Sequence, residues 1–356
     1  MSVQLEAAEK ANGASFDAGD SRLLPQRFGA LSDEWAALRH RCGLYDAGFR
    51  ALWRLSGSDR TTFLQGMVSN DVAKLGNGSG TYAALLTIQG RIVSDLRVFV
   101  VDEEVWLDVP ASHGAAVREN LEKYIIADDV EFVDDDAWCP LVGIEGPQAD
   151  RVMEDVGGES LRALPLFAHR PLTVDGSGIR VAVVSQAGER GYLMFGPPSA
   201  APGLWERCRS AGAEPVGMHA LDVLRIEAGI PWMGRDMDES TLVSEAGLEQ
   251  AISFKKGCYL GQEVVERVAA RGQVQRKLVG LDCAGDTPPP AGAKLVQEEK
   301  EVGWISSAVH SPADGVIALG YVRRECWDVG TELRAAWSDH SVLVRVASLP
   351  FYRSAN

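Results

Sequence analysis

The sequence predicts an α+β protein made of two related α/β lobes and a small C-terminal β-barrel. Three observations support this. Apolar spacing switches repeatedly between period 2 and period 3.6 up to about residue 275. A strand–glycine turn–helix pattern occurs twice, at Leu52–Leu55 with Gly57 and at Leu141–Ile144 with Gly146 and Pro147. Beyond that region only short strand candidates remain, broken by turns and by Thr287-Pro288-Pro289-Pro290.

Residues 1–33 carry little periodicity and are expected to be a frayed arm plus a covering segment. Ala51–Leu55 reads as a strand. The Gly57-Ser58-Asp59 turn then starts a helix with Phe63, Leu64, Met67 and Val68 on one face. Strands follow at Thr81–Ile88, Ile92–Val101 and Val105–Val109. The next helix begins near Ser112, and Val130–Val133 closes a split β-α-β layer. The second half repeats the scheme, with strands near Arg180–Val184 and Tyr192–Phe195 and helices near Leu204–Ala211 and His219–Ala228. The barrel candidates are Lys277–Leu281, Lys294–Val296, Gly303–Ser307, Ile317–Val322, Leu333–Ala336 and Val342–Val346. The expected division is 1–50 with 138–275 as one discontinuous lobe, 51–137 as the other, and 276–356 as the barrel.

Composition narrows the function. The 356 residues, 46% hydrophobic and 24% charged, suit two or three globular domains. Fifty acidic against 35 basic side chains give a net charge of −15, which opposes extended nucleic-acid binding. The six cysteines form no C-x-x-C pair and no zinc spacing, so a reducing, cytoplasmic setting is expected and no metal site. No apolar run approaches the ~18 residues of a membrane helix, and the first twenty residues lack the apolar core of a secretory signal. Dinucleotide, Walker, H-E-x-x-H and G-x-S-x-G motifs are all missing. The glycine-dense Gly76–Gly80 stretch has the wrong spacing for a phosphate cradle and reads as a turn.

One segment reverses the general charge. From Phe254 to Lys277 six cations face two glutamates, locally +4, so an anionic ligand would be drawn there. A solvated helix face is the plainer alternative. Cys258 sits between Gly257 and Tyr259 beside Lys255 and Lys256, which makes it a candidate nucleophile; an inert packed thiol is the other reading. Asp95 is the lone carboxylate of its strand, costly to bury unless paired or used. Arg91 and Arg97 are the possible partners.

Lys256-Gly257-Cys258-Tyr259-Leu260-Gly261-Gln262-Glu263 resembles the K-G-C-[FY]-x-G-Q-E signature of the YgfZ family of folate-binding, iron–sulfur-related proteins. The wider chain resembles the glycine cleavage T-protein (aminomethyltransferase) superfamily. Gly43-Leu44-Tyr45-Asp46, Gly57 to Gly66, Arg225-Ile226-Glu227-Ala228-Gly229 and Gly303 through Val322 all match its elements. The resemblance implies three lobes around a central hole that binds tetrahydrofolate or a one-carbon derivative. It implies Asp95 and Cys258 as the residues that carry activity. Asp95, Arg225, Lys255, Lys256, Tyr259, Gln262 and Glu263 become the folate-holding set. It also marks two departures: Leu193 and Leu221 stand where the superfamily places a glutamate and an arginine against the pterin. The leading expectation is a folate-binding accessory protein for assembly or repair of iron–sulfur enzymes, including tRNA-modifying ones, with those enzymes or assembly proteins as partners. The alternatives are a folate-dependent aminomethyl- or methyltransferase and a binding module without chemistry.

Overall fold

The computed structural model describes residues 5–17, 24–135, 137–271 and 274–352. Residues 5–17 and 24–33 carry more regular structure than expected, while the rest of the expected arm, residues 1–4 and 18–23, lies outside the described residues. Helix α1 (Glu6–Ala11) precedes the antiparallel pair β1 (Ser15–Phe16) and β2 (Pro25–Arg27), then helix α2 (Leu31–His40) and strand β3 (Gly43–Asp46). The first lobe contains β4 (Arg50–Ser56), α3 (Arg60–Met67), β5 (Gly80–Leu86), β6 (Ile92–Val101), β7 (Glu104–Pro110), α4 (Gly114–Glu122) and β8 (Glu131–Phe132). Its five strands run in the order β5-β6-β7-β4-β8. One face packs Leu55, Leu85, Leu96, Val98 and Leu107 against Phe63, Leu64 and Met67 of α3 and Val117 and Leu121 of α4.

The second lobe has β9 (Cys139–Glu145), α5 (Ala149–Gly157), β10 (His169–Val174), β11 (Ser177–Val184), β12 (Gly191–Gly196), α6 (Ala201–Ser210) and β13 (Glu214–Pro215). Strand β3 returns from the N-terminal stretch to lie between β9 and β13, giving the order β10-β11-β12-β9-β3-β13. Trp205 and Cys208 of α6 and Val152 and Met153 of α5 cover one face of this sheet. Between the two sheets, Phe99, Val101 and Trp106 of the first lobe pack against Ala182, Val184, Leu193 and Phe195 of the second.

The internal repeat is visible at its turns. Gly57 follows β4 at φ +100°, and Gly146 follows β9 at φ +135°. A Cβ at Gly57 would lie 2.0 Å from the Asp129 carbonyl oxygen, and one at Gly146 would lie 2.6 Å from that of Arg41. Only glycine fits either corner, and each corner delivers the chain into a helix.

These lobes form one compact unit (up to Leu85, Val93–Leu221 and Gln250–Leu260). A second unit comprises Leu86–Ile92, Asp222–Glu249 and the chain from Gly261 onward. Helix α7 (Met218–Glu227) and helix α8 (Gln262–Arg271) precede six strands: β14 (Arg276–Cys283), β15 (Lys294–Gln297), β16 (Lys300–Ser311), β17 (Gly315–Arg323), β18 (Glu332–Trp337) and β19 (His340–Ala347). They close into a barrel in the order β14-β17-β16-β15-β18-β19, so no edge is left open. Leu281, Leu295, Ile305, Leu333 and Val344 fill it. On the outside, Ile226 of α7 packs on Leu278, Ile317, Leu319 and Tyr321. No helix among the described residues is long and apolar enough to cross a membrane.

The N-terminal helix is secured by an acid. Glu9 of α1 is fully buried and faces Asp46 at the end of β3. Burial first, then Asp46, pushes the Glu9 carboxyl up to about 9. Glu9 is therefore held in its protonated form at neutral pH, buried beside Asp46. The folded chain holds that proton where the unfolded chain releases it, so this contribution is complete below the ordinary glutamate value and fades as pH rises towards 9. Glu9→Gln keeps a neutral donor and removes the titration. Urea unfolding at pH 5 and pH 8 is expected to show the variant gaining on wild type at the higher pH.

Candidate functional site

The first unit places Asp95 on the face of β6 that looks towards the second sheet. Side chains alternate along a strand, so Asp95, Arg97, Phe99 and Val101 share that face. Asp95 is 9% exposed. The Tyr82 hydroxyl on β5 donates to its Oδ2 at 3.1 Å, and its Oδ1 is buried with no partner. Burial, followed by Asp95, holds the Tyr82 phenol well above its ordinary value, so it remains a donor. The Tyr82 ring stacks on Phe167 with centroids 6.3 Å apart and planes 16° apart. The unpaired Asp95 oxygen is thus an acceptor fixed in place with nothing to accept.

Neither arginine considered from the sequence bonds Asp95. Arg91 donates to the Ser240 carbonyl. Arg97 donates to Asp108 at 2.8 Å and to the Gln186 side-chain carbonyl at 2.9 Å. Arg50 donates to the other Asp108 oxygen at 2.8 Å. Behind them Glu145 accepts from the backbone N–H groups of Gln186, Ala187 and Glu189 and from the Ser185 hydroxyl. Burial raises Glu145 to about 7 despite those donors. Sequence reasoning missed Tyr82, Arg50 and Asp108. For Asp108 the available signal was a charged side chain inside an apolar strand.

The basic segment divides in its uses. Lys256 is buried, and its ammonium donates to the carbonyls of Gln65, Val68 and Asn70 at 2.7, 2.6 and 2.9 Å. These carbonyls lie at and just beyond the C-terminal end of α3, where a cation is favoured. Burial lowers Lys256 to about 8, and its ammonium sits 5.0 Å from the centre of the Tyr259 ring. All three of its protons point into the fold, which corrects the expectation that Lys256 meets an anionic ligand. Lys255 and Cys258 are exposed, and the Cys258 thiol is free. In the second unit, Gln262 opens α8 and bonds Glu266 at 2.6 Å, while Glu263 is exposed.

Arg225 is likewise corrected. It is 0% exposed in the second unit. Its guanidinium bonds Asp222 at 2.8 Å, the Ile230 carbonyl at 3.3 Å, Ser307 at 2.8 Å and Asp236. Asp236 in turn accepts from Ser306. The residue ties α7 and the following loop to β16 and is fully enclosed there. The two departures are apolar in fact as well as in sequence. Leu193 and Leu221 are both fully buried, Leu193 among Ala47, Phe99, Trp106 and Phe195.

Residues 5–256 match the GCVT N-terminal domain, and residues 276–353 match the glycine cleavage T-protein C-terminal barrel domain. The chain is 32% identical over 330 residues to an aminomethyltransferase of a Synechococcus species, covering 92% of each. It is 31% identical over 332 residues to that of Rubrobacter xylanophilus, covering 93% of this chain and 88% of the relative. The crystal structure of the glycine cleavage system aminomethyltransferase T from Bartonella henselae superposes with a TM-score of 0.88 at 26% identity, covering 98% of this chain and 97% of that one. The chain therefore belongs to the glycine cleavage T-protein family, with its two α/β lobes and closed six-stranded barrel.

These matches overturn the iron–sulfur reading. The relatives aligned over nearly the whole chain are named aminomethyltransferases, and nothing among them supports a YgfZ-type role in cluster assembly or tRNA modification. The eight-residue signature around Cys258 is a local likeness, and the structure spends its Lys256 on a helix end.

Replacing Lys256 by Met leaves three carbonyls without a donor and is expected to cost about 2–4 kcal/mol of stability. Replacing the exposed Lys255 by Ala is expected to change it by less than ~0.5 kcal/mol. Denaturant midpoints of the two variants provide the comparison.

Proposed function

We propose that this chain is a tetrahydrofolate-dependent one-carbon transferase of the aminomethyltransferase type. The observation that carries the reading is the buried, unpartnered Oδ1 of Asp95, whose sister oxygen is fixed by Tyr82. Naming of the relatives over more than nine-tenths of the chain supports it.

An orphaned buried acceptor fits a reduced pteridine, whose ring nitrogens carry protons. Asp95 would hold the folate through such an N–H, with the Tyr82–Phe167 ring pair beside it. When bound, tetrahydrofolate supplies the nucleophilic nitrogens that take up the one-carbon unit. Asp95 then accepts or returns a proton at Oδ1, a contribution of about 10²–10⁴ in rate for a positioned carboxylate. Tyr82 cannot compete for that proton, because its phenol stays protonated. Exclusion of water from β6 strengthens the electrostatic contact.

Leu193 and Leu221 shape the binding. Each charge-assisted hydrogen bond they cannot make is worth about 1.5–3 kcal/mol. Recognition therefore rests more heavily on Asp95 than it would with charged anchors at those positions. Tetrahydrofolate titration by calorimetry should give binding to wild type and at least ~10-fold weaker binding to Asp95→Ala. With an amine-bearing one-carbon donor, Asp95→Asn should lower kcat by about 10²-fold or more in methylenetetrahydrofolate formation. Wild type that neither binds tetrahydrofolate nor yields product above background would sink the reading.

A further inference from the structure

Asp95 lies beside a buried charge cluster that the proposed chemistry does not itself assign. Strands β4, β7 and β6 are consecutive in the sheet. Arg97 lies opposite Asp108 in the β6–β7 ladder, and Arg50 lies opposite Pro110 in the β4–β7 ladder. Residues two apart on one strand share a face, so Asp95, Arg97, Asp108 and Arg50 all project to the same side.

All four side chains are at most 9% exposed. They comprise two cations and two anions, so the cluster is neutral only if Asp95 is counted. Asp108 is saturated, with one oxygen on Arg50 and the other on Arg97, both at 2.8 Å. A single carboxylate cannot neutralise two buried guanidinium groups, and an uncompensated buried charge is strongly unfavourable. Burial works against the Arg50 charge. Asp108 first and Asp95 second outweigh it and hold the guanidinium above its ordinary value. Arg97 is further occupied by Gln186, whereas Arg50 makes its bonds to Asp108 alone, through Nε to the carboxylate and Nη2 to the backbone carbonyl at 2.9 Å. Tyr82 on β5 and Tyr45 on β3 interact electrostatically with this cluster, and Glu145 on β9 acts on Tyr45. Neither tyrosine can supply a positive charge, and Glu145 would add a negative one.

We propose that Arg50 is a positioning residue for Asp95: clamped by Asp108, it supplies the countercharge that keeps Asp95 a carboxylate with Oδ1 free to accept. The cluster then couples one strand of the lobe to the reacting group two strands away. The inference rests on the reading of Asp95 as the reacting carboxylate, so its test needs a readout that works without folate.

Infrared difference spectra of ¹³C-aspartate-labelled protein, wild type minus Asp95→Asn, isolate the Asp95 carboxylate band at neutral pH. In the Arg50→Met background that band is expected to shift or give way to the protonated carboxyl band. Arg50→Lys is expected to restore it in part. An Asp95 band identical in wild type and Arg50→Met overturns the proposal. Should Arg50→Met fail to fold, Arg50→Gln, which still reaches Asp108 without charge, takes its place.

In the transfer assay Arg50→Met is expected to lower kcat ~10-fold or more with KM within about twofold, and to have little further effect on top of Asp95→Asn. Equal losses in both backgrounds would show Arg50 acting on the fold alone and would also overturn the proposal. If wild type shows no folate binding and no product, the functional reading fails by itself, and the infrared band still decides the role of Arg50.

Discussion

The constraint on which the site depends is charge neutrality inside a dry sheet interface. Strand β6 runs through the first lobe almost wholly buried, and along it Asp95 and Arg97 replace the apolar side chains that fill the neighbouring positions. Either ion alone would be intolerable there. Together with Arg50 and Asp108 they form a balanced group, in which Asp108 bonds both guanidinium groups and Asp95 is held by Tyr82. That balance leaves Asp108 fully engaged and Asp95 half engaged. The same packing that demands a fourth charge leaves one oxygen of Asp95 without a donor.

Elsewhere the chain uses cations as internal staples, and this explains why its charge pattern misleads. Lys256 sits in a stretch that looks basic, and Arg225 in a family motif that looks ligand-seeking, when the sequence is read linearly. In the structure one caps a helix end and the other joins α7 to the barrel through Asp222, Asp236 and Ser307. Arg39 does the same with Glu189, both buried and 2.6 Å apart. Each cation finds carbonyls or carboxylates far away in sequence. Net local charge counts only what is near in the chain, so it registers an excess that folding has already consumed. The glutamate of the Gly188–Gly191 turn is absorbed in the same way.

The fold was legible where periodicity is strong. Ile92–Val101 was readable to the residue because ten consecutive positions suit a strand buried on both faces. The barrel strands were readable because turns punctuate them. Strand β3 was not marked as a strand: Gly43–Asp46 has four residues, all buried, and central strands of that length show no alternation. Strand β10 hid behind polar residues and Pro171, which suit an edge. Helix α1 is a single short segment whose buried face includes a glutamate, contrary to any apolar pattern. Asp95 was legible as a charge in an apolar run. Arg50 was not, because it opens its strand and its partners lie on β7 and, through the cluster, on β6. No sequence window contains all three.

The same logic bears on how a family fold can shift its chemistry without shifting its shape. The backbone superposes closely on an aminomethyltransferase at only 26% identity, so the lobes and barrel tolerate wide substitution. Core positions accept any side chain that fills the volume, which lets Leu193 pack with Phe99, Trp106 and Phe195 where a charged side chain would need a partner. Replacing a charge by leucine at such a position stabilises the apo protein while removing a contact available only to a ligand. This chain has leucine at both positions and keeps a buried carboxylate oxygen without a partner. Folding alone would favour an apolar side chain at position 95, together with the loss of Arg50 and Asp108. The cluster runs against that preference, and Oδ1 of Asp95 is its one buried oxygen without a hydrogen-bond partner.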